Sequence, residues 1–95
     1  GNMFNRDALL NIVKDAISNS AAHEQRHATW MHRIERRDFK NHTNIVLRHM
    51  GFKDALNADI IAALKAAGYK AEAYEGSYYV GSGWAEVFTR IKCYQ

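Results

Sequence analysis

Proline is absent from this chain, and after Gly1 no glycine appears before Gly51; the others are Gly68, Gly76, Gly81 and Gly83. A first half without either strong breaker, followed by closely spaced glycines, predicts helices first and turns later. Ala8, Leu9, Ile12, Val13, Ala16 and Ile17 recur at three- and four-residue spacing, which predicts a helix from about Asn5 to Ser18. A second helical stretch is expected from about Ala21 to Arg37, striped by Ala28, Met31 and Ile34. The sequence leaves open whether these two form one bent helix. A third fits Phe39 to Met50, with Asp38 as N-cap and Gly51 as the stop. A fourth is capped by Asn57 and lined by Ile60, Ile61 and Leu64. Gly68 would close it in a left-handed conformation, with Tyr69 folded back on Leu64.

Beyond Gly68 the pattern alternates. Tyr69 to Glu75 and Tyr78 to Val80 read as strands around a Gly76-Ser77 turn, and Gly81-Ser82-Gly83 as a second turn. Residues Trp84 to Tyr94 fit helical spacing at Trp84, Val87, Phe88 and Ile91, but their β-branched and aromatic content favours a strand. The expected fold is α+β: three or four N-terminal helices packed on a C-terminal three-stranded antiparallel meander. It forms one domain over residues 2–95, helical over about 5–67 and meandering over about 69–94.

Composition restricts function by class. With 95 residues, 47% apolar and 24% charged, the chain reads as a small folded globule. A domain of that size buries only about 60–65% of its unfolded surface, so function belongs on its surface or at a subunit interface. No apolar run is long enough for a membrane span, so no membrane partner is expected. The single cysteine, Cys93, excludes an internal disulfide and a Cys-rich zinc module, and the expected compartment is cytoplasmic.

Charge is unevenly placed. Residues 21–53 carry Arg26, Arg33, Arg36, Arg37, Lys40, Arg48 and Lys53 against three carboxylates, a local net of +4 within an overall +3. All five histidines lie there too. Tyr74, Tyr78, Tyr79 and Trp84, near Lys70, Arg90 and Lys92, form a candidate stacking platform on the open face of the meander.

One motif resembles a catalytic signature. His23-Glu24-Gln25-Arg26-His27 has the H-E-x-x-H spacing of zincin metallopeptidases. That resemblance implies His23 and His27 as zinc ligands and Glu24 as general base. It ends after five residues: Trp30 and Arg33 stand where the extended metzincin motif needs glycine and histidine. No nucleophile set, metal cage or phosphate loop emerges elsewhere, and no cofactor is implied.

The expected function is therefore a non-enzymatic binding module. Its basic helices would contact an anionic macromolecule, a nucleic acid or an acidic protein surface, through Arg26, Arg33, Arg36, Arg37, Lys40 and Arg48. Tyr78, Tyr79 and Trp84 would add aromatic contacts. Two alternatives stand beside it: an inhibitory or homo-oligomerising accessory protein of phage or mobile-element type, and a zinc hydrolase using the histidine motif.

Overall fold

The computed structural model of the chain describes residues 4–20, 34–49 and 54–95. In order these form α1 (Arg6–Asn19), β1 (Ile34–Asp38), β2 (Thr43–His49), α2 (Asp54–Ala66), β3 (Lys70–Gly81) and β4 (Trp84–Tyr94). The strands make one antiparallel sheet in the order β1-β2-β4-β3, so the central pair joins two separate hairpins. No helix among the described residues is long and apolar enough to cross a membrane.

The architecture corrects the expected one. It remains α+β, but it has two helices and four strands among the described residues, rather than three or four helices on a three-stranded meander. The expected third helix is a hairpin instead. Thr43, Ile45 and Leu47 are buried on one face of β2 while Asn44 and Arg48 alternate with them, a period of two that burial favours over a helical stripe. Asp38 ends β1 rather than capping a helix, and the Phe39 amide donates to the His42 carbonyl at 2.9 Å across the Lys40-Asn41 turn. The latter part of the expected second helix, Ile34 to Arg37, is β1; residues 21–33 lie outside the described residues.

The other elements follow local chemistry more closely. The Asn5 side chain caps α1 by accepting from the Ala8 amide at 3.1 Å, and Leu9, Val13 and Ile17 put one buried residue on each turn. Leu56, Ile60 and Leu64 do the same for α2. Its ending is the expected one: Gly68 has φ +96°, Tyr69 N–H donates to Leu64 O at 3.0 Å, and Gly68 N–H donates to Lys65 O at 3.0 Å. Asn57, however, is not the cap. It lies inside α2, buried, and its side-chain amide donates to Glu75 at 2.9 Å and Thr89 at 3.3 Å, tying the helix to β3 and β4.

Gly76-Ser77 is not a turn either. Strand β3 runs straight through it, and a Cβ at Gly76 would lie 2.7 Å from the tip of the Phe88 ring on β4. Glycine is present there to make room for that ring. The turn is at Ser82-Gly83, where both residues have positive φ, and residues 84–94 form the strand expected of them.

Both helices cover the same side of the sheet. Their apolar stripes meet Ile45 and Leu47 of β2, Ala71 of β3, and Ile91 and Cys93 of β4 in one core. The β1 side of this layer is polar. Arg6 donates to the carbonyls of His42 and Lys40, at 3.1 Å each, and to Thr43 Oγ1 at 3.2 Å. Beside it, Arg36 joins Asp7 at 2.7 Å and Asp38 at 2.9 Å, fastening the start of α1 to β1.

Because one ammonium cannot satisfy three acceptors arranged for a guanidinium fork, Arg6→Ala is expected to cost about 1–2 kcal/mol and Arg6→Lys to recover less than half. Wild-type urea midpoints for Arg6→Lys would contradict this. Burial pushes the Cys93 thiol from an ordinary value near 9 up to about 11, so the unfolded chain ionises first. The contribution of the neutral thiol is complete below about pH 8.5 and is lost as pH climbs toward 11. Wild type should accordingly lose about 1–2 kcal/mol relative to Cys93→Val between pH 8 and 10.5; a pH-independent difference in unfolding free energy would contradict the assignment.

Candidate nucleic-acid interface

Strand alternation sends every second side chain to the side of the sheet opposite the helices. From β1 these are Glu35 and Arg37; from β2, Asn44, Val46 and Arg48; from β4, Phe88, Arg90, Lys92 and Tyr94; from β3, Lys70, Glu72 and Tyr74. No described element packs on this face. Its described side chains include five cations and two carboxylates, interleaved with three aromatic rings.

Two shallow depressions adjoin there, with Arg90 bordering both. One, of about 260 Å³, has Arg37, Arg48 and Arg90 around Val46 and Phe88. The other, of about 290 Å³, is lined by His42, Asn44, Tyr74, Arg90 and Lys92. The floor of the first is apolar because Val46 is buried and the Phe88 ring lies against Gly76.

The carboxylates on this face hold its cations and rings in place. Glu35 accepts from Arg48 Nε at 2.8 Å and from Arg37 Nη2 at 2.9 Å, and these hydrogen bonds lower its pKa. Glu72 accepts from the hydroxyls of Tyr74 at 2.6 Å and Tyr94 at 2.8 Å, which lowers its own pKa and raises both phenols. The Arg90 guanidinium lies 5.1 Å from the centre of the Tyr74 ring. Lys92 and Lys70 stand 5.4 Å and 5.9 Å from the centre of the Tyr94 ring. At the β1–β2 turn, Phe39 is 47% exposed and stacks on His42 with centroids 4.7 Å apart.

The residues expected from the sequence divide sharply. Arg37 and Arg48 are on the open face, but on strands; with Arg36 they correct the expectation of basic helices. Arg36 faces the other way, and its guanidinium is committed to Asp7 and Asp38. Lys40 is exposed in the turn. Tyr78, Tyr79 and Trp84 belong to the far end of the β3–β4 hairpin, where Tyr78 pairs with Glu86, Tyr79 with Ala85, and Trp84 with Gly81. Arg26, Arg33 and the motif histidines His23 and His27 lie outside the described residues. Among the described residues no three His, Cys, Asp or Glu side chains converge to hold a metal ion.

Of the stacking platform, Tyr74, Lys70, Arg90 and Lys92 do share the open face. Phe88, Asn44 and Tyr94 were missed as part of it. Their signal was the alternation through Phe88-Thr89-Arg90-Ile91-Lys92-Cys93-Tyr94, with small or apolar residues at every second position. The hollow between α1 and α2, about 580 Å³, contrasts with this face: among the described residues it is bordered by Asp15 and Asp59 and by no cation.

No family model, curated protein or solved structure matches this chain.

The contact between Gly76 and Phe88 gives a direct test of how the face is built. Gly76→Ala must displace the ring and is expected to destabilise the protein by about 1–2 kcal/mol. In a Phe88→Ala background the same change should be neutral or stabilising, because the obstruction is gone. Equal costs in both backgrounds, measured by thermal unfolding, would exclude ring displacement as the cause.

Proposed function

We propose that this chain is a non-enzymatic module that binds a single-stranded nucleic acid on the open face of its sheet. The observation carrying this reading is the mixture on one flat surface of cations and aromatic rings, with Arg90 over Tyr74 and two lysines beside Tyr94. Cations attract any polyanion, and an acidic protein surface would satisfy them equally well. Ring faces set among them favour unpaired bases, which stack on aromatic and guanidinium planes while their phosphates meet the charges. A duplex hides its base faces and could not stack them on these rings.

The electrostatic balance supports a moderate binder. Glu35 offsets part of the charge of Arg37 and Arg48, which leaves Arg90, Lys92 and Lys70 as the main contacts for phosphate. Three neutralised phosphates give a salt slope of about −2 for a single strand.

The test is fluorescence anisotropy with labelled 12-nucleotide single strands, their duplexes and a polyglutamate peptide. Single strands should bind more tightly than either competitor, with affinity falling about tenfold or more between 50 and 200 mM salt. Arg90→Glu with Lys92→Glu should abolish binding while the circular dichroism spectrum stays that of wild type. No binding at 50 mM salt, or binding indifferent to the double reversal, refutes the reading.

A further inference from the structure

The Asn44 side-chain oxygen is buried and accepts no hydrogen bond from any described residue. A buried amide carbonyl without a donor is a standing cost to the folded state, and native proteins leave few of them. Asn44 lines the depression that it shares with His42, Tyr74, Arg90 and Lys92. Its cross-strand partners are Arg37 on β1 and Lys92 on β4, both cationic. That field favours the amide orientation with oxygen, rather than the NH2 group, placed where it is. A purely structural asparagine would use its oxygen inside the fold.

We infer that Asn44 reads the edge of a nucleobase bound in this depression, and that the preferred bases are those with a ring N–H between two carbonyls, uracil and thymine. The inference rests on the nucleic-acid reading above and specifies the base class at that site. The chemistry is complementary. Asn44 supplies an acceptor, and its cross-strand neighbours Arg37 and Lys92 supply donors on either side of it. An imide N–H donates to the asparagine oxygen while the carbonyl on each side of it accepts from a cation. Adenine and cytosine can give the oxygen an amino N–H, but beside it they offer a single acceptor, a ring nitrogen, which leaves one cation unanswered. Guanine sets an amino group against one of the cations. The lining of the depression includes long surface side chains, with Arg90 drawn over Tyr74 and Lys92 over Tyr94. Such side chains turn aside as a base stacks on Tyr74.

The experiment compares wild type, Asn44→Ala and Asn44→Thr for affinity to 10-nucleotide oligo-U, oligo-A and oligo-C, alongside the melting temperature of each free protein. Wild type should prefer oligo-U by about tenfold, and both variants should reduce that preference to within about twofold. The free variants should melt at the wild-type temperature or a few degrees above it, because the unpaired acceptor has been removed. Equal wild-type affinities for the three oligomers overturn the base assignment and leave the nucleic-acid reading standing. A preference that survives in both variants does the same. A fall in melting temperature in both variants assigns Asn44 a structural role and also overturns it. Failure of wild type to bind any oligomer refutes the underlying reading instead.

Discussion

Two helices lying on one side of a four-stranded sheet cannot cover the other side, and this limit determines what each strand must encode. On β2 and β4 every second residue has to suit a dry core, and the residues between them have to suit an aqueous surface. Thr43, Ile45 and Leu47 meet the first demand together with Thr89, Ile91 and Cys93, all nearly inaccessible. Asn44, Arg48, Arg90 and Lys92 meet the second. The charge of the open face is thus concentrated on the central strands, the part of the sheet where backbone position is most restrained by neighbours on both sides. Side chains mounted there have their spacing fixed by the ladder, which a loop would not provide.

The β1 edge solves a different problem. Here only Ile34 of the three helix-facing positions packs against the core, and the other two are Arg36 and Asp38, so burial cannot secure the rest of the strand. Ion pairs to Asp7 and the Arg6 fork to the following turn secure it instead. Solvent-exposed pairs of this sort contribute modestly one by one. Their geometric effect is larger, because they fix the turn that places His42 at the border of the Asn44 depression. The first turn of α1 thereby helps to shape a surface on the far side of the sheet.

How much of this was legible follows from which signals are local. The ending of α2 depends on Gly68 and the next residue alone, and the sequence read it correctly. The C-terminal strand was readable from β-branched and aromatic content. Strands β1 and β2 are not legible from breakers, because their absence suggests helix whereas a two-residue turn is made by Lys40-Asn41 without glycine or proline. The misreading of Gly76 has a different origin. A glycine that accommodates a ring on the neighbouring strand looks, along the chain, the same as a glycine that allows a turn. Pairing alone separates the two, and pairing is nonlocal. For the same reason the basic cluster was recognised but assigned to helices, which left Arg36 in the candidate surface and Phe88 and Asn44 out of it.

The carboxylates on the basic face sharpen the functional argument. Were the surface only a solubilising one, Glu35 and Glu72 would need no fixed geometry. Each instead accepts hydrogen bonds from two open-face groups, Glu35 from two arginines and Glu72 from two phenols. Such contacts reduce net charge, which weakens attraction to a polyanion, but they also restrict the rotamers of the groups that would meet it. Restricting those rotamers before binding lowers the ordering cost at the moment of contact. A face arranged in this way sacrifices some long-range attraction for definition at short range, the exchange expected of a surface that distinguishes one base from another more than it gathers nucleic acid at large.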